Sequence, residues 1–134
     1  YEFFGRPEWA SLKQKYNLRF AQQRTFDPSL MYAAVKERKV DVISAYSTDG
    51  RIVAYDLLVL PDPKQALPPY DAVLLLSPRA SANEKLVQAL KPFIHGISNE
   101  TMRQANNLVD VEKQSVTEAA SYILRSLMRD DAIN

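Results

Sequence analysis

The stretch "KVDVISAYSTDGRIVAYDLLVLP", residues 39–61, decides how the chain is read. It opens as a buried strand from Val40 to Ala45. It then places a tyrosine, two hydroxyls, an aspartate and a glycine in a row before apolar residues return. A tyrosine at the end of a buried strand, just before a turn, needs a reason. Upstream, Pro7 and Glu8 suit the first turn of a helix, where proline lacks only an N–H that would go unbonded and a carboxylate meets the positive helix end. The expected helix spans residues 7 to 16. "LRFAQQRT" (18 to 25) alternates enough to form a strand. Asp27-Pro28 reads as a capping carboxylate and first-position proline, opening a helix buried on Leu30, Ala34 and Val35 and ending near Arg38.

Downstream, "VDVISAY" and "YDLLVL" read as strands, the second closed by Pro61. "PDPKQALPPY" (61 to 70) is a proline-rich loop. "DAVLLLS" (71 to 77) is an apolar run of central-strand length. Ser81 with Glu84 fits a reciprocal helix-capping pair, followed by Leu86, Val87, Leu90, Phe93 and Ile94 at helical spacing. Ser98 caps a short helix around 101 to 107. Ser115 with Glu118 forms a second capping pair, ahead of a stripe of Val116, Ala119, Ala120, Ile123, Leu124 and Leu127. Strands separated by helices predict an α/β fold with a mainly parallel sheet. The second half is odd, because one strand with three helices cannot make a sheet. Its partner strands must come from the first half, another chain, or a part of the protein not present.

The totals narrow the function. The 134 residues carry 17 basic and 16 acidic side chains, a net charge of +1. Nucleic acid would need a clustered basic face, so no nucleic-acid partner is expected. No apolar run approaches the length of a membrane span. "YEFFGRPEW" lacks the charged and apolar regions of a signal peptide, as a processed secreted protein also would. There is no cysteine and the one histidine is His95, so disulfides, thiolate metal sites and a nucleophile–histidine pair are not expected. No phosphate-cradling glycine loop, no metalloprotease helix and no nucleophile elbow occurs, so no cofactor and no enzyme activity is expected. Asp49 and Asp71 flank strands, where aspartate usually caps a turn. His95, late in a helix and before Gly96, suits a partner for the helix's negative end.

Tyr46 and Tyr70 are more informative. In open α/β sheets ligands bind at the carboxyl ends of strands. Tyr46 stands at such an end, and Tyr70 follows the rigid "LPP". Two aromatic faces on stiff backbone can wall in a cation, which the ring quadrupole attracts. Tyrosine is also a common strand-edge residue with its hydroxyl in water, and pattern alone leaves both readings standing.

"FDPSLMYAAVKERKVDVISAYSTDGRI", then "YDLLVL", then "LPPYDAVLLL", resembles the second half of the substrate-binding proteins of osmoprotectant ABC importers, the glycine betaine, choline and carnitine type. "EFFGRPEW" resembles the family's "EF..RPDG" segment, and "MRQANNLVDVEKQSVTEAASYIL" its C-terminal helices. The resemblance implies a type II periplasmic-binding-protein-like fold of two lobes that close on a ligand. Residues 1–68 would supply most of lobe two, and residues 69–134 the returning C-terminal part of lobe one. It implies a quaternary-ammonium ligand held in a cage of tyrosines, with Tyr46 and Tyr70 on two cage positions. Arg6 resembles an arginine that holds the ligand carboxylate in some members, although this chain has "RPEW" where the pattern has "RPDG". Glycine betaine, choline and ergothioneine all remain open as ligands. The implied partner is a membrane permease, and the implied location is the periplasmic or extracellular face, free or lipid-anchored. The chain is then expected to be a fragment, a cut chain or one completed by swapping, with poor affinity of its own. The alternative is an effector-sensing domain of a bacterial transcription regulator with the same fold.

Overall fold

The computed structural model describes residues 3–130. They form seven α-helices: α1 (Pro7–Tyr16), α2 (Met31–Lys36), α3 (Arg51–Ala54), α4 (Pro78–Ser81), α5 (Glu84–Leu90), α6 (Asn99–Asp110) and α7 (Val116–Asp130). They pack as two compact units. One runs through Ala45 and adds Val59–Asp71; the other joins Tyr46–Leu58 to the chain from Ala72 onward.

The first unit is built around aromatic residues. Trp9, on the inner face of α1, is buried, with Phe20 stacked on it at 5.3 Å and Phe4 edge-on at 5.2 Å between ring centroids. Lys13 lies over the indole at 5.2 Å, so its ammonium faces the electron-rich ring. Tyr32 and Ala34 of α2 are buried, whereas Leu30, expected in the buried stripe, is 58% exposed. Asp27 does not cap the helix as expected: its carboxylate accepts from the Ser29 backbone N–H at 2.8 Å within the preceding turn, and α2 begins only at Met31, with Leu30 at its N-cap. Leu30 therefore stands outside the helix, while Ala34 is buried as expected.

In the second unit α6 packs against both α7 and α3. Ala105 on α6, Ala119 and Leu127 on α7, and Ile52 on α3 are its buried apolar side chains. Small residues at a helix crossing bring the backbones close. Ser98 caps α6 by accepting from the Thr101 N–H at 3.0 Å, and the helix is longer than its expected 101–107 core. Ser115 and Glu118 form the expected reciprocal pair. Ser115 Oγ accepts from the Glu118 N–H at 3.2 Å, and the Glu118 carboxylate accepts from the Ser115 N–H at 2.8 Å. The Ser115 N–H bond first, then the Ser115 hydroxyl donating to the same carboxylate at 2.8 Å, hold the Glu118 carboxyl below its ordinary range. Val116 and Leu124 of the expected stripe are exposed.

Two further capping expectations fail. Ser77, followed by Pro78, opens the short α4, and Ser81 becomes the last residue of that turn, donating to the Pro78 carbonyl. Asn83 rather than Ser81 then caps α5, accepting from the Leu86 N–H at 3.2 Å. His95 does not end a helix. It follows a 3-10 turn (Lys91–Phe93) in the left-handed region, φ 61°.

The runs 18–25, 40–46, 55–60 and 71–77 were expected to be strands, and none forms a ladder among the described residues. A strand exists only with a hydrogen-bonded neighbour, and a lone apolar run has no local source of stability. Leu58 and Leu75 accordingly stand 85% and 89% exposed.

Several helix and turn ends use the left-handed region without glycine. Asn17 closes α1 at φ 52°, Arg38 follows α2 at 58° and Asp56 follows α3 at 51°. In each case the next N–H reaches back five residues, as Leu18 does to the Lys13 carbonyl at 3.0 Å. All three glycines have negative φ.

Candidate functional site

Tyr46 sits at the mouth of a tight turn. The Asp49 N–H donates to its carbonyl at 3.1 Å, and the Asp49 carboxylate accepts from the Arg51 N–H at 2.9 Å. The same carboxylate forms a two-point pair with the Arg51 guanidinium, 2.9 Å to Nε and 2.7 Å to Nη2. Asp49 thus braces the turn ahead of α3, whose N-cap is Gly50, in keeping with the turn role expected of it. The sequence reading missed α3, because "RIVA" is short and half β-branched.

Helix α6 grips the same turn from outside. Asn106 Nδ2 donates to the Thr48 carbonyl at 2.7 Å. Gly50 lies against the α6 backbone so tightly that a Cβ there would fall 2.4 Å from the Asn107 nitrogen. The Tyr46 ring, 63% exposed, is presented from a turn fixed on both sides. Asn106 carries no local signal in the sequence: its partner lies 58 residues away.

Tyr70 belongs to the other unit, at the end of the proline-rich loop, and is 64% exposed. Asp62 organises that loop. Its carboxylate accepts from the Ala66 N–H at 3.0 Å and the Leu67 N–H at 2.8 Å, and also from the Tyr16 hydroxyl. The Lys64 N–H donates to that hydroxyl at 2.9 Å, and the Lys64 ammonium lies 5.1 Å from the centre of the Tyr16 ring. Lys15 donates to the Gln65 carbonyl at 2.7 Å. The end of α1 therefore holds the base of the loop that leads to Tyr70. The Ala66 and Tyr16 hydrogen bonds, in that order, hold the Asp62 carboxyl below its usual range. Loss of water, then Asp62 itself, pushes the Tyr16 phenol up.

Arg6, also in the first unit, is the residue from which α1 starts, with extended backbone at φ −88° and ψ 151°. A guanidinium favours an anion, a carboxylate included. A recess of about 410 Å³ lies along α6 and α7, lined by Leu108, Gln114, Tyr122 and Arg125 among others. Its lining includes none of Tyr46, Tyr70 and Arg6. Among the described residues no cluster of histidine and carboxylates could hold a metal, and no helix is long and apolar enough to cross a membrane.

Residues 1–126 match the family model for the substrate binding domain of ABC-type glycine betaine transport systems. The chain belongs to this family. It is 33% identical over 128 residues to a glycine-betaine-binding protein of Pseudomonas aeruginosa, covering 92% of this chain and 41% of that protein. It is 32% identical over 103 residues to the carnitine transport binding protein OpuCC of Listeria monocytogenes, covering 76% of this chain and 33% of the relative. A third relative is the ergothioneine transport permease/ergothioneine binding protein EgtU of Helicobacter pylori, 30% identical over 95% of this chain and 23% of that protein. A crystal structure described as a glycine betaine/carnitine/choline ABC transporter superposes with a TM-score of 0.79 at 30% identity, over 92% of this chain and 46% of that one. The type II binding-protein fold expected from the sequence is therefore the fold of this family member, which spans less than half the length of those relatives. The family is one of substrate-binding domains, not of enzymes.

Proposed function

We propose that the protein to which this chain contributes captures a quaternary-ammonium solute for an ABC importer, and that Tyr46 and Tyr70 are two walls of its cage. The observation that carries the reading is the pairing of family membership with two exposed phenol rings, each at the end of a loop braced by a helix. A trimethylammonium group offers no N–H donor, so aromatic faces rather than acceptors must select it. Each cation–π contact contributes about 0.5 to 2 kcal/mol, the upper end when water is excluded. Micromolar binding needs about 8 kcal/mol, so several walls must act together. Two rings make only part of a cage. Arg6 would hold the carboxylate of a betaine or carnitine through a charge-assisted hydrogen bond.

Residues 1–68 would belong to lobe two and 69–134 to the returning part of lobe one. The partner would be a membrane permease, and the site of action the periplasmic or extracellular face, whether the protein is free or lipid-anchored. The relatives' names offer glycine betaine, carnitine and ergothioneine, all of them trimethylammonium compounds with a carboxylate.

Calorimetry on the full-length protein tests this. Tyr46→Ala and Tyr70→Ala should each weaken binding of a trimethylammonium ligand by about 2- to 30-fold, the range of one cation–π contact. Arg6→Ala should weaken a betaine and leave choline, which has no carboxylate, nearly unchanged. Unaltered affinity in both tyrosine variants would remove the cage.

A further inference from the structure

We propose that Asn106 is the positioning residue for Tyr46, acting through the Thr48 carbonyl rather than by touching the ligand. The inference rests on the reading of Tyr46 as a ligand wall. The turn that carries Tyr46 has two kinds of support. Its internal support is the Asp49 N–H to Tyr46 carbonyl bond and the Asp49–Arg51 pair, which fix its shape. Neither fixes where the turn stands on the unit. That is set by α6, through the close approach of Gly50 to the Asn106–Asn107 backbone and the 2.7 Å bond from Asn106 Nδ2 to Thr48. Gly50 contacts the helix by shape alone. Asn106 supplies a directional contact, and it grips the peptide midway between Tyr46 and Gly50.

The geometry makes Asn106 specific for this task. Its side chain is half-buried at the α6–turn contact, and the neighbouring Asn107 is turned elsewhere, donating to Glu112 at 2.7 Å. Thr48 would otherwise present a carbonyl with no helix partner, and the turn could rock about its contact at Gly50. A cation held by a ring face is sensitive to such movement, because the attraction depends on the cation lying over the ring within about 6 Å of its centre. Ordering the turn before the ligand arrives removes a cost that binding would otherwise meet.

The test is a double-variant cycle in the full-length protein, read by calorimetry against glycine betaine, choline, carnitine and ergothioneine. The tightest binder of the four is carried forward, and unliganded melting temperatures are measured alongside. Asn106→Ala and Asn106→Asp, which keeps the volume but loses the donor, should each weaken binding about two- to tenfold, the range of one net hydrogen bond. In a Tyr46→Ala background the same changes should have no further effect, because the residue they position is gone. Should Asn106→Ala not fold, Asn106→Asp alone completes the cycle. If Tyr46→Ala weakens binding and the Asn106 changes are silent or fully additive with it, the positioning role is wrong and the cage survives. If Tyr46→Ala is itself silent, or none of the four ligands binds, the cage reading falls and takes the inference with it.

Discussion

Tyr46 and Tyr70 are mounted by different physics. The Tyr46 turn is set against a helix by shape and a neutral amide, with Gly50 touching backbone and Asn106 holding a carbonyl. The Tyr70 loop is tied by a charged hub, where the Asp62 carboxylate collects two backbone N–H groups and the Tyr16 hydroxyl. A packed contact tolerates little change in volume. A carboxylate hub tolerates changes of volume better but depends on its charge. The two mountings should therefore fail under different insults.

The largest effect expected is from Gly50→Ala. The new methyl would overlap α6 backbone, which cannot swing aside as a side chain can, so the cost should reach the upper end of the about 1–3 kcal/mol typical of overpacking. Urea unfolding measures it, and hydrogen exchange should rise over residues 46–54 and 99–110 while 62–70 stays protected. A rise in both regions would mean the two mountings are not independent. Next comes Asp62→Asn, which keeps the size but removes the charge. Exchange at Ala66 and Leu67 should rise, with residues 46–54 unaffected. An unchanged loop would show that the prolines alone hold it.

Acid should act on the same hub. Because the folded Asp62 carboxyl is held below the ordinary aspartate value of about 3.9, its contribution is complete above that value. It is lost as pH falls through the lower folded value. The amide signals of Ala66 and Leu67 should shift together in that window, and a midpoint at or above the ordinary value would contradict the hub. The smallest effect should come from Tyr16→Phe, which removes one of the hydrogen bonds to Asp62 and leaves both backbone bonds. It should move the Asp62 midpoint upward without freeing the loop.

Local chemistry made some elements legible in the sequence and long-range pairing hid the rest. Pro7 with Glu8, Ser98, and Ser115 with Glu118 each announce a helix within four residues, and α1, α6 and α7 begin where they say. Ser81 misled because Ser77-Pro78 makes an equally good start four residues earlier. The apolar runs 40–46 and 71–77 were readable as strand-forming sequence, but a strand is a property of two segments and none of these found its second. Tyr46 and Tyr70 stood out by their place at a turn and after prolines. Their supports did not, since Asn106 meets Thr48 across 58 residues and Tyr16 meets Asp62 across 46. No periodicity or cap motif encodes such contacts.

Gly50 and Gly96, finally, stand where bulk is forbidden, while left-handed backbone falls to Asn17, Arg38, Asp56, Gln65, His95 and Lys113. An L-residue there carries a penalty of about 1–2 kcal/mol, partly offset by the extra freedom a glycine would bring to the unfolded chain. Arg38 and Lys113 lie on the surface, away from both tyrosines in sequence, and are open to replacement. Arg38→Gly and Lys113→Gly give an engineer a route to a hardier protein that leaves Tyr46 and Tyr70 alone.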